Sequence, residues 1–282
     1  MGPRPYDPRI MRCIICDSPA SYYFSKTYTQ EPYATFMADI GHVDYHRCVH
    51  CGFTCSKTHR ELDRSRWERL NHQFHEYLED LALNERLINQ PPYAEQALML
   101  SILARHGLID SDDMLDYAGG RGTLSDILSR YFGMRLPIFD PYISSSEKGD
   151  YIRSDELRSY RTVINSAMFE HVLEREDLDA VNRLVKPDGS LIIHTVIAEH
   201  VPKDPEWFYL APPVHTAFHT NKSMGLLMEQ WGYEASIYSP KSKCWVLLRE
   251  DESETARCVE SINQRLQSAW FHYKRGFMDY WK

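Results

Sequence analysis

Three glycines, Gly119, Gly120 and Gly122, stand within four positions, directly after an apolar run at 114–118 and directly before a stretch of helical periodicity. Glycine clustered there costs backbone entropy, so something must need to come close to the main chain. Two further sets of residues have the chemistry for a site. Cys13-Ile-Ile-Cys16 and Cys48-Val-His-Cys51 form two C-x-x-C pairs separated by 31 residues. Each pair can hold two thiolates on one side of a tetrahedral ion, and a closed four-cysteine set leaves no position open for a substrate. The predicted role of Cys13, Cys16, Cys48 and Cys51 is therefore one structural zinc site. Buried free thiols or a redox-active pair are the other readings, and His46, His50 and Cys55 are spare ligands nearby. The third set is a connection rich in histidine and aromatic residues, running from Glu199 and His200 through Trp207-Phe208-Tyr209 to His215 and His219.

The chain that must position these groups has 282 residues, enough for one α/β domain with an appendage. A hydrophobic fraction of 43% with 26% charged residues is ordinary for a globular protein with its own core, so no disulfide framework is required. Seven cysteines at short spacings favour metal ligands over disulfides in a reducing compartment. A net charge of −8 argues against nucleic acid as partner and against general adhesion to anionic membranes. No apolar run reaches the roughly 20 residues of a membrane span, and the first residues lack the apolar core of a signal peptide. Gly2 is a poor myristoylation match beside Pro3. The expected location is cytoplasmic.

The first ~60 residues lack long periodic segments, a helix is predicted over 61–86, and Pro91-Pro92 separates it from a second helix over 94–106. From Met114 onward strands alternate with helices. Strands are predicted at 114–118, 136–139, 162–165 and 190–196, the last preceded by a Lys186-Pro-Asp-Gly189 turn. A hairpin of two strands at 233–238 and 244–248 follows, and a helix is predicted from Thr255 to the C-terminus. Alternation of this kind builds a doubly wound, mainly parallel sheet with a terminal antiparallel hairpin, and such a sheet binds ligands at the carboxyl ends of its strands. The organisation expected is a zinc-binding segment at 1–60, a helical connection with the first helices of the catalytic domain at 61–110, a catalytic domain at 111–250 and a C-terminal helix at 251–282.

A nicotinamide dinucleotide would want G-x-G-x-x-G, but Ser125 occupies the third glycine position. The run Leu115-Asp116-Tyr-Ala118-Gly119-Gly120-Arg-Gly122 instead resembles the first motif of the class I S-adenosylmethionine-dependent methyltransferases, with Ala118 standing at the first glycine. The resemblance extends from about Ala94 to Glu250, and it makes 111–250 the S-adenosylmethionine-binding catalytic domain. It implies a Rossmann-like fold, with Asp140, followed by Pro141, ending the second strand and taking the cofactor's ribose hydroxyls. The segment Asn165-Ser166-Ala-Met-Phe169-Glu170-His171-Val172 is similar to the family's fourth-strand motif, which places Asn165, Ser166, Glu170 and His171 around the cofactor. Asp116 either orients the glycine loop and reaches the cofactor amine or caps the loop. Paired C-x-x-C knuckles ahead of this fold resemble those of a smaller group that methylates nucleotide-linked or surface-polysaccharide sugars.

The cofactor's sulfonium is already activated, so such an enzyme has to position its acceptor and, for a hydroxyl, remove a proton. His219 and His215 are the candidate general bases, because histidine titrates in the useful range. Their i, i+4 spacing could also hold a metal with Glu199, but magnesium prefers oxygen ligands and no carboxylate cluster accompanies them. The expected function is methyl transfer to a sugar or glycan-precursor hydroxyl. C- or N-methylation of another small acceptor, and a non-catalytic zinc-bearing binding module of the same fold, are the alternatives.

Overall fold

The computed structural model describes residues 11–80, 90–142, 150–250 and 253–279. The readings made on the first ten residues, on 81–86 of the first predicted helix and on the last three residues lie outside that set. The chain divides into two compact units, and the division is discontinuous. One comprises Met1–Ile88, Glu170–Arg175 and Val196–Leu226; the other comprises Asn89–Phe169, Glu176–Thr195 and Leu227–Lys282. The segment carrying His215 and His219 thus folds with the cysteine knuckles, a grouping that the linear division at 60 and 110 did not anticipate.

In the first unit a six-stranded sheet runs in the order Met11–Arg12, Pro19–Lys26, Val43–Cys48, Thr54–Ser56, Ala217–Thr220, Ile197–Ala198. All neighbours pair antiparallel except the last two strands, which are parallel with His219 opposite Ile197. Alternation along Val43–Cys48 buries Val43 and Tyr45 on the core face, where Tyr45 stacks on Phe24 at 5.1 Å between ring centroids. The helix Arg64–Glu79 starts because the Asp63 carboxylate accepts the Arg66 N–H at 2.9 Å, and it buries Leu70 and Phe74 in the same core. Tyr209, Leu210, Val214 and Phe218 complete that core from the far end of the sequence.

The second unit is a seven-stranded sheet in the order His272–Arg275, Ala235–Ser239, Cys244–Leu248, Val185–His194, Tyr160–Ser166, Met114–Tyr117, Ile138–Phe139. The last four are mutually parallel, and Cys244–Leu248 enters antiparallel to Val185–His194 as the predicted hairpin requires. Tyr151 adds a single parallel bridge to Ile138. This is the Rossmann-like arrangement, and its strand order reverses beside Met114–Tyr117, the strand that ends in the glycines. Among the described residues no helix is long and apolar enough to cross a membrane.

Two local expectations are corrected. Lys186–Gly189 does not precede a strand but lies within one, as an irregularity: the register passes from Tyr160 opposite Val185 to Thr162 opposite Ser190. The extra residues bulge where Lys186 pairs with Asp113 at 2.7 Å and Arg161 with Asp188 at 3.1 Å. The C-terminal segment is helical only over Ser253–Leu266. His272–Arg275 then becomes the edge strand, because its backbone finds partners on Ala235–Ser239 that a continued helix would not offer.

Candidate functional site

In the second unit the glycine loop is fastened to three neighbouring elements. Ala118 donates its N–H to the Phe139 carbonyl at 2.7 Å. Gly120 donates to Asp140 Oδ2 at 3.0 Å, and its carbonyl accepts the Tyr151 hydroxyl at 2.5 Å. The Asp140 carboxylate also caps its own turn through the Tyr142 N–H at 2.9 Å. Ala118 adopts a left-handed φ of 59°, a conformation that costs an L-residue about 1–2 kcal/mol. The strain falls at the position where the motif ordinarily has glycine, and backbone strain of this kind gathers at ligand sites.

Gly119 and Gly120 do different work. A β-carbon at Gly119 would lie 2.7 Å from Asp116 Oδ2 and 2.9 Å from Ile138, so this glycine is imposed by packing beneath the loop. A β-carbon at Gly120 would meet nothing within 4 Å, so that side of the loop is open to a ligand. Ser125, at the third glycine position of the dinucleotide fingerprint, is buried and donates its hydroxyl to the Leu136 carbonyl at 2.7 Å. A serine there ties helix to strand instead of allowing the two backbones to touch. Gly122 caps the short helix Thr123–Ile127, and Pro141 lies in the exposed turn after Asp140.

Beneath the loop, Asp116 is 2% exposed and its Oδ1 has no hydrogen-bond partner among the described residues. Burial, reinforced by the nearby Asp140 charge, pushes its carboxyl up to about 8. Asn165 donates to the Tyr117 carbonyl at 2.9 Å, and its Oδ1 is a second buried acceptor with no partner among the described residues. The Ser166 hydroxyl donates to Gln96 Oε1 at 3.1 Å. Gln96 and Tyr151 belong to this network and escaped the sequence reading. Gln96 left a signal, since it is a polar residue on the buried face of the helix Tyr93–Arg105.

In the first unit Cys13, Cys16, Cys48 and Cys51 converge. Cys13 Sγ is 3.6 Å from Cys51 Sγ, and Cys16 Sγ is 3.5 Å from Cys48 Sγ and 3.6 Å from Cys51 Sγ. Four sulfurs at ~2.3 Å from a tetrahedral zinc would be about 3.8 Å apart. The donor set therefore has the size and chemistry for such an ion. The sulfurs already receive backbone donors, from Ile15 to Cys13 and from His50 and Cys51 to Cys48, each at 3.4 Å. Hydrogen bonding from Cys51 holds the Cys13 thiol down to about 6, while Cys51 itself is driven up by that contact. Cys55 points into the interior, and burial pushes its thiol up to about 12.

The candidate bases occupy separate surroundings in this unit. His215 is buried, and its Nδ1 lies 2.7 Å from the Tyr209 carbonyl oxygen. A carbonyl can only accept, so the ring proton is on Nδ1 and Nε2 keeps its lone pair. Burial holds the His215 imidazole down to about 4. Its ring is 5.1 Å from that of His171, which stacks in turn at 5.8 Å on His75, a residue absent from the sequence reading. His171 is held well below the usual histidine range by burial, then by its two histidine neighbours. The Glu170 carbonyl pins this segment by accepting the Thr216 and Ala217 N–H groups at 2.7 and 3.0 Å. His219 lies in the strand Ala217–Thr220 and His215 in the loop before it, so the two are not neighbours one turn apart on a helix. Its ring packs on Phe53 at 5.0 Å between centroids.

A family model described as a methyltransferase domain matches residues 59–236. No curated protein matches the chain. Solved structures of similar fold include the plantazolicin methyltransferase BpumL in complex with a monoazolic desmethylPZN analog and SAH. That likeness has 11% identity and a TM-score of 0.44, covering 68% of this chain and 95% of that one. Streptomyces venezuelae DesVI is similar at 12% identity and a TM-score of 0.39, covering 67% of this chain and all (100%) of that one. CalO1, a methyltransferase in calicheamicin biosynthesis in its SAH-bound form, is similar at 15% identity and a TM-score of 0.39, with 63% and 59% covered. With the domain match spanning more than half of its length and a glycine loop at the switch point of a Rossmann-like sheet, the chain belongs to the class I S-adenosylmethionine-dependent methyltransferases.

Proposed function

We propose that this methyltransferase acts on a hydroxyl of a sugar or glycan precursor, with His215 as general base and one structural zinc on the four knuckle cysteines. The observation that carries the reading is the His215 Nδ1 contact to the Tyr209 carbonyl, which fixes the tautomer that a base requires. The imidazole is neutral at pH 7, and Nε2 is the atom to take the hydroxyl proton. His219, the other candidate base from sequence, is assigned to packing in its strand. The sugar acceptor is supported by the aromatic run before His215: Phe208 is 66% exposed and stands against Trp207 and Tyr209 at 5.9 Å each, a surface suited to an apolar sugar face.

When bound, S-adenosylmethionine supplies an electrophilic methyl group. The chain's own residues then bind and orient. The open side of Gly120, the carboxylate of Asp140 and the unsatisfied oxygens of Asp116 and Asn165 would hold the cofactor, whose amine and hydroxyls are donors matched to these acceptors. Ala118, Gly119, Gly122, Pro141 and Ser166 shape that cradle, and Glu170 and His171 continue its chain segment. The four cysteines close a site with no open ligand position, so the metal would stiffen the knuckles. The test is mass spectrometry of products after incubation with labelled cofactor and a panel of sugars, nucleotide sugars and small amines. Label in an amine or on carbon, with none on sugar hydroxyls, overturns the acceptor assignment.

A further inference from the structure

Beside the knuckles the first unit contains a cavity of about 340 Å³, with Tyr23, Arg47, His50, Glu199, His200 and Lys222 among its lining residues. Its volume equals that of on the order of ten waters at ~30 Å³ each, room for a tetrahedral anion and an attached organic group. The walls carry the cations Arg47 and Lys222 and two histidines against the carboxylate of Glu199 and two of the knuckle cysteines, Cys48 and Cys51. Arg47 is the telling residue. Its guanidinium lies 5.3 Å over the Tyr23 ring, and its Nε is fully buried with no hydrogen-bond partner among the described residues. A guanidinium half withdrawn from water without a carboxylate partner is costly, and a bound anion would relieve that cost. Lys222 is exposed, and its ammonium donates to the His50 carbonyl at 2.7 Å, which holds it at the rim with two donors left over.

A rival account is that these cations neutralise the thiolates next to them. The contacts favour the anion. Backbone N–H groups donate to the sulfurs, those of Ile15, His50 and Cys51 among them, whereas Arg47 lies over Tyr23 and Lys222 donates to a carbonyl. We infer that this cavity is a binding site for a phosphate or phosphate ester, with Arg47 and Lys222 contacting the phosphate oxygens. Arg47 offers the planar fork that binds two phosphate oxygens at once, and Lys222 acts as a point charge. The inference goes beyond the acceptor reading and does not depend on it.

The test is titration calorimetry of the full-length, metal-replete protein with inorganic phosphate and with pyrophosphate, in the absence of cofactor. Saturable binding to the parent protein is expected, with dissociation constants raised about 10–100-fold in Arg47→Met and Lys222→Met. Arg47→Lys should recover part of the affinity. Lys222→Met removes only an exposed side chain and should leave melting temperature and metal content intact, so it tests the site even if Arg47→Met fails to fold. No binding to the parent protein, or a Lys222→Met variant that loses metal while keeping phosphate affinity, overturns the proposal. Two further arms identify the source once binding is seen. Inorganic phosphate competing with a phosphorylated acceptor in methyl transfer assigns the pocket to that acceptor. Phosphate binding that leaves transfer unchanged assigns it to a separate phosphorylated ligand.

Discussion

The main chain at Gly119 runs against the carboxylate of Asp116, so closely that a β-carbon there would sit 2.7 Å from Oδ2. The next residue, Gly120, faces open space and is tied to Asp140 by its N–H. One side of the loop is therefore packed and the other is presented. Neighbouring glycines with opposite duties should separate stability from binding.

Gly119→Ala is expected to lower stability by about 1–3 kcal/mol, because neither the buried carboxylate nor Ile138 can give way without repacking. Gly120→Val should cost mainly the strain of a β-branched residue at φ 54°, yet weaken S-adenosylhomocysteine binding strongly. Asp140→Ala should weaken the same ligand by about 1.5–3 kcal/mol. Calorimetric binding together with thermal melts reads both axes. Undiminished S-adenosylhomocysteine affinity in Gly120→Val would contradict this division of labour.

Asp116 gives the apo protein a signature in pH. Its folded-state carboxyl titrates at about 8, above the ordinary value near 3.8, so the folded state binds the extra proton between those limits. Stability from this group is therefore lost as pH rises through that window, the reverse of a salt-bridged aspartate. Asp116→Asn should flatten the decline in urea unfolding measured from pH 5 to 8. A decline of the same slope in the variant would assign it to other groups.

The four-cysteine cluster predicts one zinc per chain by elemental analysis of purified protein. Cys48→Ser should lower both metal content and melting temperature, and a strong chelator should reproduce the shift in the parent protein. Retention of the full melting temperature after the metal is stripped would remove the structural role.

What the sequence disclosed, and what it hid, follows from the range of each interaction. The glycine loop and the C-x-x-C pairs were legible because their chemistry is written in spacings of two to four residues. The hairpin at 235–248 was legible for the same reason. The grouping of 196–226 with the knuckles was not, since it rests on Ala217 pairing with Cys55 across more than 160 positions. The contact between His215 and Tyr209 spans only six residues, but it depends on a three-residue 3-10 turn at Phe208–Leu210 that no periodicity announces. The edge strand His272–Arg275 was hidden by a basic and aromatic composition that suits a helix end equally well, and only its partner strand decides between them.

His215 carries the last prediction. His215→Ala should reduce turnover roughly 10²–10⁴-fold while S-adenosylhomocysteine affinity stays near the parent value, and His219→Ala should instead lower the melting temperature. From sequence alone, a histidine base implies an activity limb near 6.5. Burial moves that limb down to about 4, because His215 stays neutral until then. The same shift has a cost in stability. The folded-state pKa lies below the unfolded one, so the unfolded chain binds more protons between about 4 and 6.5, and stability falls as pH is lowered through that interval. His59, also buried and held down to about 4, adds to the loss. Turnover measured between pH 4.5 and 8 beside circular dichroism at each pH separates the two effects. A limb that persists near 6.5 while the fold is intact would assign the base to another residue, with Glu199 and His200 the next to substitute.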